Sequence, residues 1–128
     1  MKVLVAGGAG FIGSNLVDAL LSENNQVVCI DNFFIGAREN IAHLADNKNF
    51  KLYEQDLADL AALKEIFVLE KFDYVFHMAA NSDIQASAAA PEVEFKNTYT
   101  TTFNILECMR LYEVKNLFFC STSAVYGD

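Results

Sequence analysis

Short apolar runs alternate with longer amphipathic stretches along this chain. Continuous apolar runs rich in β-branched and aromatic residues are typical of strands buried on both faces. They lie at Lys2–Ala6, Gln26–Asp31, Phe50–Tyr53, Tyr74–Met78 and Asn116–Cys120. Strands that alternate with helices predict an α/β fold: a doubly wound parallel sheet with right-handed crossovers and helices on both faces.

Three of the intervening stretches predict helices. The first, Phe11–Glu23, has apolar residues at helical spacing. The second follows Asp59, whose carboxylate can cap a helix, and the third begins at Pro91, a residue suited to a first helical turn. Phe33–Asn49 is mostly polar, which predicts a loop with a short helix. We expect the sheet to stop after about the fifth strand.

A glycine-rich turn joins the first predicted strand to the first helix. Gly7 and Gly10 would allow a tight turn and a close approach of a pyrophosphate, and Gly13 would let the helix lie against the strand. The unpaired amides at the start of a helix attract phosphate groups. A structural turn alone would also explain such glycines, but strand, turn and helix in this order favour a diphosphate site.

An acidic residue stands where a dinucleotide site of the Rossmann type needs one. The second strand ends at Asp31, close to the distance from the glycines at which an acid accepts the ribose hydroxyls. A residue that merely forms a strand-end turn is the alternative interpretation. Asp31 would repel a 2′-phosphate and so favours NAD over NADP, although nearby Arg38 could reduce that repulsion.

Composition narrows the class of protein. A globular chain of 128 residues predicts one domain, and a net charge of -8 argues against binding to nucleic acid or to an anionic membrane. No apolar run approaches the roughly 20 residues that a membrane span needs. Cys29, Cys108 and Cys120 have no CxxC spacing. They predict reduced thiols in a cytoplasmic protein, with neither disulfides nor a metal site.

Five short motifs follow one another along the chain. They are GxxGxxG at residues 7–13, DN at Asp31-Asn32, DL at Asp56-Leu57, HMAA at His77–Ala80 and STSAVYGD at residues 121–128. With this ordered set, the whole chain resembles the N-terminal part of the extended short-chain dehydrogenases/reductases, in the NAD-dependent nucleotide-sugar epimerase/dehydratase family. The resemblance implies NAD as cofactor and a nucleotide sugar as substrate of the full-length protein. It also implies a homodimer, for which the helix from Pro91 is a candidate surface.

The resemblance further implies roles for individual residues. The glycine turn, with Phe11 and Ile12, would contact the diphosphate of the cofactor. Asp31 and Asn32 would hold the adenosine ribose, and Asp56 and Leu57 would contact the adenine. The nicotinamide side would be lined by Met78, Ala79, Ala80 and Asn97. The hydroxyl that hydrogen-bonds the reacting sugar would belong to Ser123 or to Thr122, depending on whether the three-hydroxyl run or the VYG end sets the register. His77 is expected to be a hydrogen-bonded core residue and not a base.

The hydroxyl-rich end of the chain bears on the chemistry. Dehydratases of this family resemble STDEVYG, with two carboxylates for elimination, whereas this chain has Ser123-Ala124 there. This favours epimerisation of a UDP-hexose at C4 by transient oxidation and re-reduction. The family's Tyr-x-x-x-Lys motif does not follow. We therefore expect residues 1–128 to be an incomplete NAD-binding domain, inactive without a substrate domain. A dehydratase, a reductase and a non-catalytic dinucleotide-binding module are the alternatives.

Overall fold

The computed structural model describes residues 1–82 and 84–127, without the side chains of residues 84, 86, 87, 123 and 124. Five parallel strands form one sheet in the order β3-β2-β1-β4-β5. The strands are β1 (Lys2–Ala6), β2 (Gln26–Asp31), β3 (Phe50–Glu54), β4 (Tyr74–His77) and β5 (Asn116–Phe119). The predicted doubly wound parallel sheet of Rossmann type is confirmed.

Helices cover both faces of this sheet. They are α1 (Phe11–Ser22), α2 (Leu60–Glu70), α3 (Ile84–Ala89), α4 (Pro91–Glu94) and α5 (Thr101–Leu111). A π-helical segment, Phe95–Thr100, joins α4 to α5, and 3₁₀ turns lie at Arg38–Asn40, Ala42–Leu44 and Ser123–Tyr126. No helix in the described part of the chain is both long enough and apolar enough to cross a membrane.

The core has two layers because successive strand residues point to opposite faces of the sheet. Leu4 and Ile30 pack with Phe67 of α2 and Ile105 of α5 on one face. On the other face, a second apolar cluster that includes Val3, Val5 and Val27 packs with Val17 and Leu20 of α1. The central strand β1 is buried on both faces, and this explains its unbroken run of apolar residues.

The predicted strand ends differ from the observed ones by one residue in three places. β3 continues to Glu54, whereas β4 and β5 stop before Met78 and Cys120. The Met78 amide still donates to the Ala6 carbonyl (2.9 Å), although Met78 lies outside the strand. The first helix likewise ends one residue early, with Glu23 as its C-cap.

The predicted helix starts are confirmed, but one helix is interrupted. The Asp59 carboxylate accepts from the Ala62 amide (3.1 Å) as the N-cap of α2, and Pro91 opens α4. The Thr101 hydroxyl donates to the carbonyls of Asn97 (2.9 Å) and Thr98 (3.1 Å), at the point where π-helical geometry ends. Such a side-chain bond competes with regular helical bonding. The prediction missed both this segment and α3.

A buried carboxylate ties three elements together at the amino end of the sheet. Glu70, at the end of α2, is only 6% exposed. It accepts from Lys2 (2.8 Å), Lys51 (2.6 Å) and the Tyr53 hydroxyl (2.6 Å). Burial opposes its ionisation, but these hydrogen bonds outweigh burial and lower the pKa of Glu70 to about 2.

Candidate functional site

The predicted site residues follow the carboxyl ends of neighbouring parallel strands. Ala6, the last residue of β1, pairs with Ile30 of β2 on one side and with His77 of β4 on the other. The chain order along the sheet reverses at β1, between β2 and β4. A reversal of this kind opens a crevice outside the strand ends, and ligands of open α/β sheets bind there.

The glycine turn is closed on the inside and open on the outside. Gly7 has a φ of +81°, and a Cβ atom on it would lie 2.7 Å from the Ala79 amide nitrogen. A Cβ on Gly13 would lie 2.2 Å from the Gly7 carbonyl oxygen. At Gly10 the nearest atom would be 3.4 Å away, an ordinary contact. The turn therefore packs against the segment after β4 and against α1, and it leaves room only above Gly10.

The first turn of α1 faces this opening. Gly10 is the N-cap and makes no side-chain hydrogen bond to the helix. The amides of a first helical turn have no partner within the helix, so they are available to an anion. Phe11 and Ile12 beside them are 82% and 61% exposed. This set of backbone donors, with space above a glycine, fits the diphosphate of a dinucleotide.

Asp31 holds the glycine turn and the loop after β2 in place. It is 7% exposed, and its two oxygens accept from the amides of Ala9 (2.9 Å) and Phe33 (2.8 Å). The Ala9 carbonyl in turn accepts from the Ala37 amide (3.0 Å) and the Asn40 side chain (2.8 Å). Asp31 thus has the structural role that the alternative interpretation gave it. Each carboxylate oxygen can accept more than one hydrogen bond, so a ligand role stays available.

Asn32, Asp56 and Lys96 meet at the same edge. Lys96 lies 2.8 Å from Asp56, which also accepts from the Ala58 amide (2.9 Å). Burial would raise the pKa of Asp56, but the hydrogen bonds from Lys96, Ala58 and Asn32 lower it. The Leu57 side chain is in the core. Only the main chain of Leu57 is therefore left for the predicted adenine contact.

Residues of the segment after β4 pack against both core layers. Met78 packs against the cluster beneath α1, whereas Ala79 packs against the cluster beneath α2 and α5, and Ala80 is exposed. The Asn81 amide donates to the Thr98 hydroxyl (3.1 Å). This bond brings the π-helical segment, which includes the half-buried Asn97, alongside the end of the β4 segment.

The hydroxyl-rich segment follows β5. Ser121 and Thr122 are exposed, and the backbone of Ser123 begins a 3₁₀ turn. The side chain of Ser123 lies outside those that the structure describes. The choice between Ser123 and Thr122 stays a prediction.

His77 is a core histidine, as predicted from the sequence. It is 1% exposed, and its Nε2 hydrogen-bonds with the Thr102 hydroxyl of α5 (2.8 Å). Its Nδ1 is buried without a hydrogen-bond partner among the described residues. Burial lowers the pKa of His77 to about 4, so the ring is neutral at pH 7. A proton-carrying role near neutral pH does not fit this position.

Two charged pairs at the site were not predicted from the sequence: Lys96–Asp56, described above, and Arg38–Glu54. The Arg38 guanidinium forms an ion pair with Glu54 and lies 4.2 Å from the centroid of the Phe33 ring. Glu54 is the register partner of Asp31 in the β2–β3 ladder. The prediction ended β3 at Tyr53, and Glu54 therefore escaped notice. The sequence signal that could have found Glu54 is an acidic residue directly after the apolar run Phe50–Tyr53.

Comparisons with known proteins agree with this arrangement. The family model described as GDP-mannose 4,6 dehydratase matches residues 4–128. The chain is 35% identical over 130 residues to a UDP-glucose 4-epimerase of Yersinia enterocolitica, covering all of this chain and 39% of that protein. It is 34% identical over 128 residues to UDP-glucuronic acid decarboxylase 1 of Arabidopsis thaliana, covering 100% of this chain and 28% of the decarboxylase.

A solved structure gives the same fold. The UDP-glucose 4-epimerase of Thermus thermophilus, in complex with NAD, matches with a TM-score of 0.86 and 36% identity. The match covers 95% of this chain and 38% of that one. The chain thus spans about two fifths or less of the length of these relatives.

Proposed function

The chain belongs to the GDP-mannose 4,6 dehydratase family, and on that premise we propose that residues 1–128 form the NAD-binding domain of a UDP-hexose 4-epimerase. The observation that carries the proposal is the glycine turn, which is closed at Gly7 and Gly13, open above Gly10, and fixed through Ala9 to the acid of β2. NAD in the Thermus relative and epimerases among the relatives support it.

In this proposal each part of the cofactor meets a separate group of residues. The diphosphate would lie on the amides of Phe11 and Ile12 above Gly10, and the adenosine ribose would be held by Asp31 and Asn32. The adenine would contact Asp56 and the Leu57 main chain. The nicotinamide side would be lined by Met78, Ala79, Ala80 and Asn97. NAD supplies a hydride acceptor that can return the same hydride.

Thr122 or Ser123 would bind the C4 hydroxyl of the sugar. Epimerisation removes a hydride from C4 and a proton from the C4 hydroxyl, and then returns both with the hydride on the other face. Nothing is consumed in that cycle. The dehydratase alternative needs an acid and a base for elimination, and Ser123-Ala124 offers no carboxylate. The proton acceptor and the sugar-binding residues are assigned to the remainder of a longer protein, and residues 1–128 alone would be inactive.

The assembly is proposed to be a homodimer formed through the helices after Pro91. Phe95, Tyr99, Phe103 and Leu106 lie at helical spacing and are each between 47% and 62% exposed. The rings of Phe95 and Tyr99 stack at 5.0 Å. A continuous exposed apolar ridge of this kind marks an association surface. Light scattering should give a dimer for the wild type and a weaker one for Phe103→Ser. Phe34→Ser is the matched control, because Phe34 is similarly exposed (59%) but outside the ridge.

The protein is proposed to be located in the cytoplasm. The full-length protein is proposed to bind a nucleotide sugar. Cys29 and Cys108 are buried free thiols, which supports a reducing compartment. Their pKa values are raised to about 12 and about 11, mainly by burial, so neither thiol is reactive. The net charge of -8 argues against a nucleic-acid partner.

Two measurements test the function. Calorimetric titration of the folded chain with NAD should show one site, weakened in Asp31→Asn; a folded chain that binds no NAD would refute the cofactor assignment. The product of the full-length gene should invert C4 of a UDP-hexose without net NAD consumption. Accumulation of a 4-keto-6-deoxy sugar would show a dehydratase instead, and loss of CO₂ from UDP-glucuronic acid would show a decarboxylase.

A further inference from the structure

A charged pair flanks the ribose end of the proposed cofactor site. Arg38 lies on the first 3₁₀ turn, with its guanidinium over the Phe33 ring and its Nη2 on Glu54. Phe33 is two residues beyond Asp31 and donates its amide to that carboxylate. Glu54 extends β3 beside Asp31. The guanidinium is thus held between Glu54 of β3 and the Phe33 ring, in the loop that follows Asp31.

The pair has a consequence for dinucleotides that carry a 2′-phosphate. Sites that accept NADP use an arginine near the ribose, because the planar guanidinium binds a phosphate through two parallel hydrogen bonds. Arg38 lies near the proposed ribose site, but its guanidinium already forms an ion pair with Glu54. The hydrogen bond from Arg38 lowers the pKa of Glu54, so its carboxylate is charged at neutral pH. The other cation at this edge, Lys96, is likewise paired, with Asp56.

We propose that Glu54 is a specificity-determining residue that excludes NADP by holding Arg38 and by adding a second negative charge beside Asp31. The inference rests on the proposed function, since it assumes that the dinucleotide lies at this edge. The side chains of Arg38 and Glu54 are 59% and 56% exposed. An exposed ion pair contributes little to stability. Replacing Glu54 should therefore release Arg38 without unfolding the protein.

The test compares the affinities of NAD and NADP for the wild type and three variants by calorimetric titration. In Glu54→Gln the affinity for NADP should rise about tenfold, because a charge-assisted contact from Arg38 to the 2′-phosphate replaces a repulsion. The affinity for NAD should stay within about twofold, since NAD has no 2′-phosphate for Arg38 to bind. The double variant Arg38→Ala/Glu54→Gln should lose most of this gain.

A matched control separates a local effect from the change in net charge. Glu107 also holds an arginine, Arg110 (2.8 Å), but on α5. Glu107→Gln should leave the ratio of NADP to NAD affinity at the wild-type value. If Glu54→Gln leaves the ratio of NADP to NAD affinity unchanged, the inference is overturned. NAD binding by the wild type would still uphold the proposed function. A gain of equal size in Glu107→Gln, or one that survives in the double variant, also overturns it. If the folded wild type binds neither dinucleotide, the proposed function fails and this inference with it.

Discussion

Because His77 is buried, we expect this protein to lose stability as the pH falls, and to do so at pH values well above those at which carboxylates titrate. The ring is 1% exposed and its Nε2 is bonded to Thr102, and burial alone sets the direction of its pKa shift. Burial depresses the pKa in the folded state to about 4, below the ordinary value of 6.5. The unfolded chain therefore binds a proton at a pH where the folded chain does not. The stabilising contribution is complete above pH 6.5 and is lost as the pH falls towards 4.

The size of the effect follows from the two pKa values. Between pH 7.5 and pH 5, a histidine with these values in the unfolded and folded states lowers the free energy of unfolding by about 2 kcal/mol. A domain of this size is stable by roughly 5–15 kcal/mol, so the loss is a large fraction of the total. It is also large enough to exceed the uncertainty of a denaturant extrapolation.

Urea unfolding at 25 °C, followed by circular dichroism, measures this loss. The wild type should lose about 2 kcal/mol between pH 7.5 and pH 5. His77→Gln keeps an amide that can hydrogen-bond Thr102 but cannot titrate, so it should lose much less over the same range. The matched control is His43→Gln, which removes the chain's other histidine. His43 is 54% exposed, so this variant distinguishes the loss of the buried ring from the loss of an exposed histidine.

Two results would refute the reasoning. One is a His77→Gln variant that loses as much stability in acid as the wild type does. The other is an NMR titration in which the His77 ring of the folded protein protonates near pH 6.5.

Four further substitutions have expected outcomes. Gly13→Ala should cost about 1–3 kcal/mol in urea unfolding, because the new methyl would lie 2.2 Å from the Gly7 oxygen. Gly10→Ala should be nearly neutral in stability yet weaken NAD binding in titration; undiminished binding would contradict the diphosphate placement. Glu70→Gln should cost about 2–3 kcal/mol at pH 7, a difference that shrinks as the pH falls from 4.5 towards 2, because the folded pKa is about 2. A pH-independent difference would contradict this. Phe67→Ala removes a ring that is 1% exposed and should cost about 3–5 kcal/mol, and a loss below about 1 kcal/mol would show that the core refills the space.

The sheet could be predicted because its signal lies within each segment. The strands β1 and β2 were predicted to the residue, since their apolar runs are bounded by the glycine turn and by Asp31. The π-helical segment could not be predicted. It is marked by the Thr101 hydroxyl, which donates to the carbonyls of Asn97 and Thr98, and a threonine in a helix can form other hydrogen bonds as well. The helix α3 was missed because six residues give too little periodicity.

The site could be predicted only as a set of positions along the chain. The sequence indicated that Asp31 stands after a strand, but not that its oxygens fix Ala9 and Phe33. It placed Leu57 at the adenine, whereas the side chain belongs to the core. Glu54 lies at the site because the register of β2 and β3 places it beside Asp31, and because it forms an ion pair with Arg38, sixteen residues earlier. Contacts between separate segments depend on how the strands pair, and no local pattern encodes that.

The bonds to Ala9 bear on how the adenosine end of the site assembles. The Ala9 carbonyl accepts from the Ala37 amide and the Asn40 side chain, and the Ala9 N–H donates to Asp31. Gly36 packs so closely that a Cβ there would lie 3.0 Å from the Ala9 carbonyl carbon. The loop after β2 is therefore ordered against the glycine turn by the protein's own bonds. Ligand binding there does not have to order the loop, so the protein loses little conformational entropy and the site is preorganised by the fold.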